Sequence, residues 1–184
     1  MENSYLTSVI KQFEYYKNLG NNTFNQLAFE ELKKEFNEDS NSISIIVKHI
    51  TGNMLSRWTN FLTEDGEKEW RKRDEEFIDT FTSKEELIGA WNQGWQCLFN
   101  AIKPLSPTDL ESVIYIRNQG HSVTEAVNRQ MMHYAYHIGQ IVLLGKLIKG
   151  NNWQSLSIPK GKSKDYNKDK FSKSKTKKHF TEDI

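Results

Sequence analysis

Cysteine, proline and long apolar runs are all scarce in this chain of 184 residues. The single cysteine, Cys97, excludes an internal disulfide framework and fits a reducing compartment. Proline occurs only at positions 104, 107 and 159, each beside another boundary signal, so long stretches are free to be helical. No apolar run approaches the roughly 18 residues that a membrane span needs. The start, Met1-Glu2-Asn3-Ser4-Tyr5, lacks the basic and apolar regions of a secretory signal. A soluble cytoplasmic protein is therefore expected, with no membrane partner. An excess of one charge is lacking too, since the net charge is +1.

That balance conceals an asymmetry. Lys160 to Ile184 carries 9 Lys against 4 acids, so residues 1–159 are mildly acidic. The sequence divides into a domain over 1–159 and a basic, flexible, solvated tail over 160–184. An acidic body disfavours a nucleic-acid surface on the fold, and nucleic acid is not an expected partner. Hydrophobic residues at 36%, with five tryptophans, supply the core of one domain.

Apolar spacing is helical almost throughout. Leu6, Val9, Ile10, Phe13, Tyr16, Phe24 and Leu27 trace one face of a first helix, with a weak point near Gly20-Asn21-Asn22. A second helix, capped by Asn41 or Ser42, carries Ile43, Ile46, Val47, Ile50, Met54, Trp58 and Phe61. After a charged connection, Ser83 and Glu86 form a capping box for a third helix, with Leu87, Trp91, Trp95, Leu98 and Ile102 in register. Val113 to Ile116, a turn at Asn118-Gln119-Gly120, and His121 to Val123 read as a short β-hairpin. Ser122 and Glu125 then open a fourth helix that runs to about Ile148. Four amphipathic helices must bury their apolar sides on one another. The expected fold is all-α, a four-helix bundle with a long crossover between the second and third helices and a hairpin before the last.

Histidines carry the candidate chemistry. His133 and His137 stand at i and i+4, so both rings leave one side of the fourth helix. They fall about 40° apart at the edge of its apolar sector. His49 sits at the equivalent margin of the second helix. The three could form a nitrogen site between helices with a coordination position open for water or substrate, the pattern of a catalytic metal. On spacing alone, partly buried histidines satisfied by neighbouring carbonyls, or surface ones near the core edge, are the more frequent arrangement. His121 could add a fourth ligand or a substrate contact, or serve only as a hairpin residue. No HExxH pairing supplies a general base, since Tyr134-Ala135-Tyr136 follows His133. Cys97 reads as an inert thiol, and the helical glycines 89, 94, 139 and 145 read as packing sites and not as a phosphate loop.

The run from Ser42 to His49, then Gly52-Asn53-Met54-Leu55-Ser56-Arg57-Trp58, and His133-Tyr134-Ala135-Tyr136-His137-Ile138-Gly139-Gln140-Ile141 resemble the DinB-like superfamily. Asp65-Gly66-Glu67, Arg71 to Phe77 and Ser155 to Pro159 extend the likeness over roughly residues 4 to 167, toward a bacillithiol-transferase-like branch with no assigned reaction. The resemblance implies a four-helix bundle, a homodimer, and a divalent metal, zinc or nickel, on His49, His133 and His137. It further implies transfer of a low-molecular-weight thiol to an electrophilic small molecule such as an epoxide, alkyl halide or activated alkene. A metal-dependent hydrolase, or a non-catalytic metal-stabilised scaffold, is the alternative. Asn53, Tyr136 and Gln140 are then candidates to hold substrate or orient a ligand. Arg57, Arg71, Arg73 and Arg129 are candidate anion contacts, with Asp65, Asp74 and Glu75 as their expected carboxylate partners.

Overall fold

The structure is a computed structural model that describes residues 4–183. Helical spacing in the sequence becomes a mostly helical chain: α1 (Ser4–Asn25), α2 (Phe29–Leu32), α3 (Ile43–Trp58), α4 (Lys84–Ile102), α5 (Val123–Lys149) and α6 (Ser163–Phe171). The only sheet among the described residues is the antiparallel hairpin β1 (Val113–Ile116) and β2 (Gln119–Ser122), with Ile116 opposite Gln119. Three long helices start on the serines that the sequence marks. Ser42, Ser83 and Ser122 accept the backbone N–H of Ile45, Glu86 and Glu125 in turn.

The long helices share faces in a ring: α3 packs on α4 and α5, and α1 on α5 and α4. At its centre Phe13, Trp91, Trp95 and Tyr134 are fully buried. α3 is the inner helix, buried nearly all round, including Ser44, His49, Thr51, Asn53, Ser56 and Arg57. Polar groups so placed need partners. Thr51 donates to Ala90 O at 3.2 Å, and Ser56 donates to Gly66 O at 2.9 Å. The connection from 59 to 83 serves Ser44 through Asp79 and His49 through Glu76, its 3₁₀ turn Arg73–Phe77 packing against α3. No helix of the described residues is long and apolar enough to cross a membrane.

Three local readings are corrected. α1 does not weaken at Gly20, because that glycine admits the indole of Trp91. A Cβ there would stand 2.4 Å from Trp91 Cζ2, and Trp91 Nε1 donates to the adjacent Asn21 at 2.8 Å. α3 stops at Trp58, with Asn60 in the left-handed region at φ 49°, although Phe61 beyond it is still buried. The hairpin turns on Arg117-Asn118, both left-handed, and not on Asn118-Gln119-Gly120. The cause is distant: the Asp65 carboxylate accepts the N–H groups of Arg117 and Asn118, each at 2.8 Å. Among the helical glycines, Gly94 and Gly145 sit at close contacts with Thr51 and Thr23, whereas Gly89 and Gly139 face open space.

Gly20→Ala should drive a methyl into a rigid, buried ring, at a cost of about 1–3 kcal/mol. Thermal melts should show a lowered midpoint, and a midpoint equal to the native one would contradict this packing.

Toward the C-terminus, α6 buries none of its residues. The last described turn, Phe180–Asp183, lies against α1, where Phe180 meets Tyr15 at 5.9 Å and Ser8 Oγ is 3.1 Å from His179 Nε2.

Candidate metal centre

Packing of α3 against α5 brings His49 to His133 and His137. One ligand nitrogen from each lies within 4.8 Å of the others, near enough for the three to hold one metal ion. Ring centroids are 4.7 Å apart for His133 and His137, and 4.9 Å for His49 and His137. His49 is buried, and His133 and His137 are half-buried, so the cluster has an inner wall and an outer edge.

Two of the rings are oriented by outer partners. His49 Nδ1–H donates to Glu76 Oε2 at 2.9 Å. His137 Nδ1–H donates to Gln140 Oε1 at 2.8 Å. Each bond commits a proton to Nδ1 and leaves a lone pair on Nε2. His137 Nε2 therefore accepts from His133 Nε2–H at 3.1 Å. A metal ion bound by both nitrogens would take the place of that proton.

Glu76 is itself locked. Arg71 donates to it through Nε at 2.8 Å and Nη2 at 2.9 Å, a bidentate pair with both side chains almost fully buried. Burial acts to raise the Glu76 pKa, but the hydrogen bonds from His49 and Arg71 outweigh it and hold the carboxyl below its ordinary value. Gly52, one turn along α3 from His49, makes room, since a Cβ there would stand 2.2 Å from Glu76 Oε1.

Sequence reasoning missed Glu76. The arginine pairing needs correction accordingly: Arg71 takes Glu76 and Glu67, and Arg57 lies 3.9 Å from Glu67, in place of Asp65, Asp74 or Glu75. Arg73 instead covers the Phe77 ring at 5.3 Å, and Phe77 stacks on His49 at 5.1 Å. Gly52 was the signal available, a glycine inside an apolar helix one turn from a candidate ligand.

The other expected positions fall as follows. Gln140 touches His137, as described. Tyr136 is exposed, with its ring 5.0 Å from that of His137. Asn53 is buried, where its Oδ1 accepts the Tyr134 hydroxyl at 3.0 Å and that hydroxyl accepts Trp58 Nε1–H at 3.0 Å. His121 is not brought to the cluster. It lies on β2 opposite Ile114. Cys97 lines a separate cavity of about 690 Å³ with Trp58, Phe61 and Pro104, which none of the three histidines reaches.

The site resists protonation. Burial, followed by the neighbouring His137, His49, Arg57 and Arg71, depresses the His133 pKa from 6.5 to about 3. Burial also lowers that of His137, against the opposing bond to Gln140. The unfolded chain takes up a proton near pH 6.5 that folded His133 refuses until about pH 3. Over that window the unfolded state binds more protons, so acidification destabilises the fold. Melts of the metal-free protein should therefore show a midpoint that falls as pH drops from 7 toward 5, with a shallower fall in His133→Gln. A flat profile would contradict the burial of neutral imidazoles.

The profile of the family described as "Protein of unknown function (DUF1572)" matches residues 1–162, and the chain belongs to that family. No curated protein and no solved structure matches it. The match ends one residue before α6 begins.

Proposed function

We propose that this member of the DUF1572 family is a divalent-metal-dependent enzyme built on a four-helix bundle of the DinB-like kind. In this reading it transfers a low-molecular-weight thiol to an electrophilic small molecule. One observation carries the reading: His49 and His137 have their Nδ1 protons committed to Glu76 and Gln140, beside a His133 kept neutral by burial. Three imidazoles brought together, two of them oriented through Nδ1, suit zinc or nickel. The half-buried outer edge, at His133 and His137, favours an open catalytic site over a closed structural one.

His49, His133 and His137 would hold the ion, which when bound supplies Lewis-acid charge that lowers the pKa of a thiol. Glu76 and Arg71 keep the inner ligand rigid, and Gln140 fixes the ring plane of the outer one. Phe77 and Tyr136 place aromatic surface against His49 and His137 at the rim, where an apolar electrophile can lie. In the transfer the sulfur–carbon bond forms as the carbon–halogen bond breaks, halide and the thiol proton leaving to solvent, or as an epoxide carbon–oxygen bond breaks and its oxygen takes up a proton. Met132, Tyr136, Leu143 and Leu147 form an exposed apolar stripe along α5, suited to pairing with a second copy in a homodimer.

The test uses protein loaded with cobalt(II) and then given glutathione or bacillithiol and an alkyl halide. An intense sulfur-to-cobalt charge-transfer band and a conjugate detected by mass spectrometry, both lost in His49→Ala, are the expected results. Bound cobalt with neither band nor conjugate would reject thiol transfer.

A further inference from the structure

Arg57 is an expensive residue in its present surroundings. Its side chain is 6% exposed, and its Nε and Nη1 are buried without a hydrogen-bond partner. Guanidinium donors are seldom left this way, because each unmet buried donor forfeits its hydration. The carboxylate within ion-pair range of Arg57 is that of Glu67, whose Oε2 is shared among three arginines. Arg57 Nη2 lies 3.9 Å from it, Arg71 Nη1 3.4 Å, and Arg117 Nη2 3.2 Å. None of these matches the bidentate 2.8 and 2.9 Å contacts between Arg71 and Glu76.

The other acids nearby are already used. Asp65 spends its oxygens on the N–H groups of Glu67, Arg117 and Asn118. Glu76 is held by Arg71 and His49. Arg129 adds a fourth cation close enough to Arg57 to disfavour its charged form, after the larger effect of burial. On the facing helix Gln130 Oε1 is also buried and unpartnered, one turn before His133. The hairpin bends through left-handed backbone at Arg117, φ 54°, and thereby returns this otherwise exposed arginine to Glu67. A carboxylate shared among three arginines at 3.2 Å or more, two buried Arg57 donors without a protein partner and an exposed Arg117 on the same carboxylate together fit the recognition of an anion.

We propose that Arg57, Arg71 and Arg117 form an anion-binding subsite flanking the histidines, in which the carboxylate or phosphate group of a small ligand takes the place of Glu67. The incoming oxygens satisfy Arg57 Nε and Nη1, and Arg117 supplies a further donor to them. Glu67, with its side chain 23% exposed, swings toward solvent as the anion enters. The subsite does not depend on a metal.

The experiment is run on chelator-treated, metal-free protein at pH 8 and low salt, with inorganic phosphate and succinate titrated separately by calorimetry and thermal melts. Saturable binding by the native chain is expected, stronger for whichever group the subsite suits. Arg117→Ala should weaken it about tenfold. Glu67→Ala, which vacates the place, should show a lowered melting midpoint that the anion restores by more degrees than it adds to the native protein. Should Glu67→Ala fail to fold, the comparison of native and Arg117→Ala chains decides alone. Absence of saturable binding by the native chain, or equal affinity in Arg117→Ala, would overturn the proposal and leave the metal reading untouched.

Discussion

Zinc added to the metal-free protein should raise its unfolding temperature, and His49→Ala, His133→Ala and His137→Ala should each abolish the rise. An ion that binds only the folded state stabilises it by about 2.7 kcal/mol when present at a hundredfold excess over its dissociation constant. For a chain of this length that corresponds to a rise of roughly 5–10 °C. Each alanine removes one of three nitrogens gathered within 4.8 Å, and two imidazoles on one helix cannot replace the third from α3. His133 and His137 alone form an i, i+4 pair of the kind a helix presents often. His49 distinguishes a built site from that coincidence, because it arrives from another helix with its own carboxylate. If zinc raised the midpoint of His49→Ala as much as that of the native chain, the three-histidine site would be rejected.

Loss of Glu76 should be the most damaging single change outside the ligands. Glu76→Ala removes the bidentate partner of Arg71, whose side chain is 3% exposed, leaves it only the 3.4 Å contact with Glu67, and frees the His49 ring to turn. Removing one partner of a buried ion pair costs about 3–5 kcal/mol when the other charge stays buried, and the weaker contact with Glu67 sets the loss here at the lower end of that range. A melting midpoint lowered by roughly 10 °C follows for a protein of this size. Affinity for zinc should fall as well, by about 10–100-fold, the usual effect of deleting a group that orients a metal ligand. Glu76→Gln separates the two effects. It keeps the size and one acceptor, so most of the stability should return while the affinity stays low. Melts paired with competitive zinc titrations would read both, and a Glu76→Ala chain with native midpoint and native affinity would contradict the assigned roles.

Local chemistry made the helices legible in the sequence. The serines that open α3, α4 and α5 cap them, and Trp91 and Trp95 face the core where their spacing placed them. The three histidines were legible for the same reason, since each stands at the margin of an apolar face that has to be buried. What escaped is decided by contacts between distant segments. Asp65 fixes a turn 52 residues away through two backbone N–H groups, so residue preferences at Asn118-Gly120 misplace it by a residue. Gly20 looked like a weak point in α1 until Trp91, which comes from α4, filled the space beside it. Glu76 stands in a run of three acids, Asp74-Glu75-Glu76, and no periodicity tells which one turns inward. Arg71 chooses it by bidentate geometry, and Gly52 leaves room for it.

X-ray absorption on zinc-loaded protein, with and without added thiol, tests the three-histidine open site most directly. The expected spectrum has three imidazole nitrogens at about 2.0–2.1 Å and a further light atom. On addition of thiol that atom should give way to sulfur at about 2.3 Å, with the three nitrogens unchanged. A first shell closed by four protein ligands that thiol does not alter, or one with fewer than three imidazoles, would contradict it.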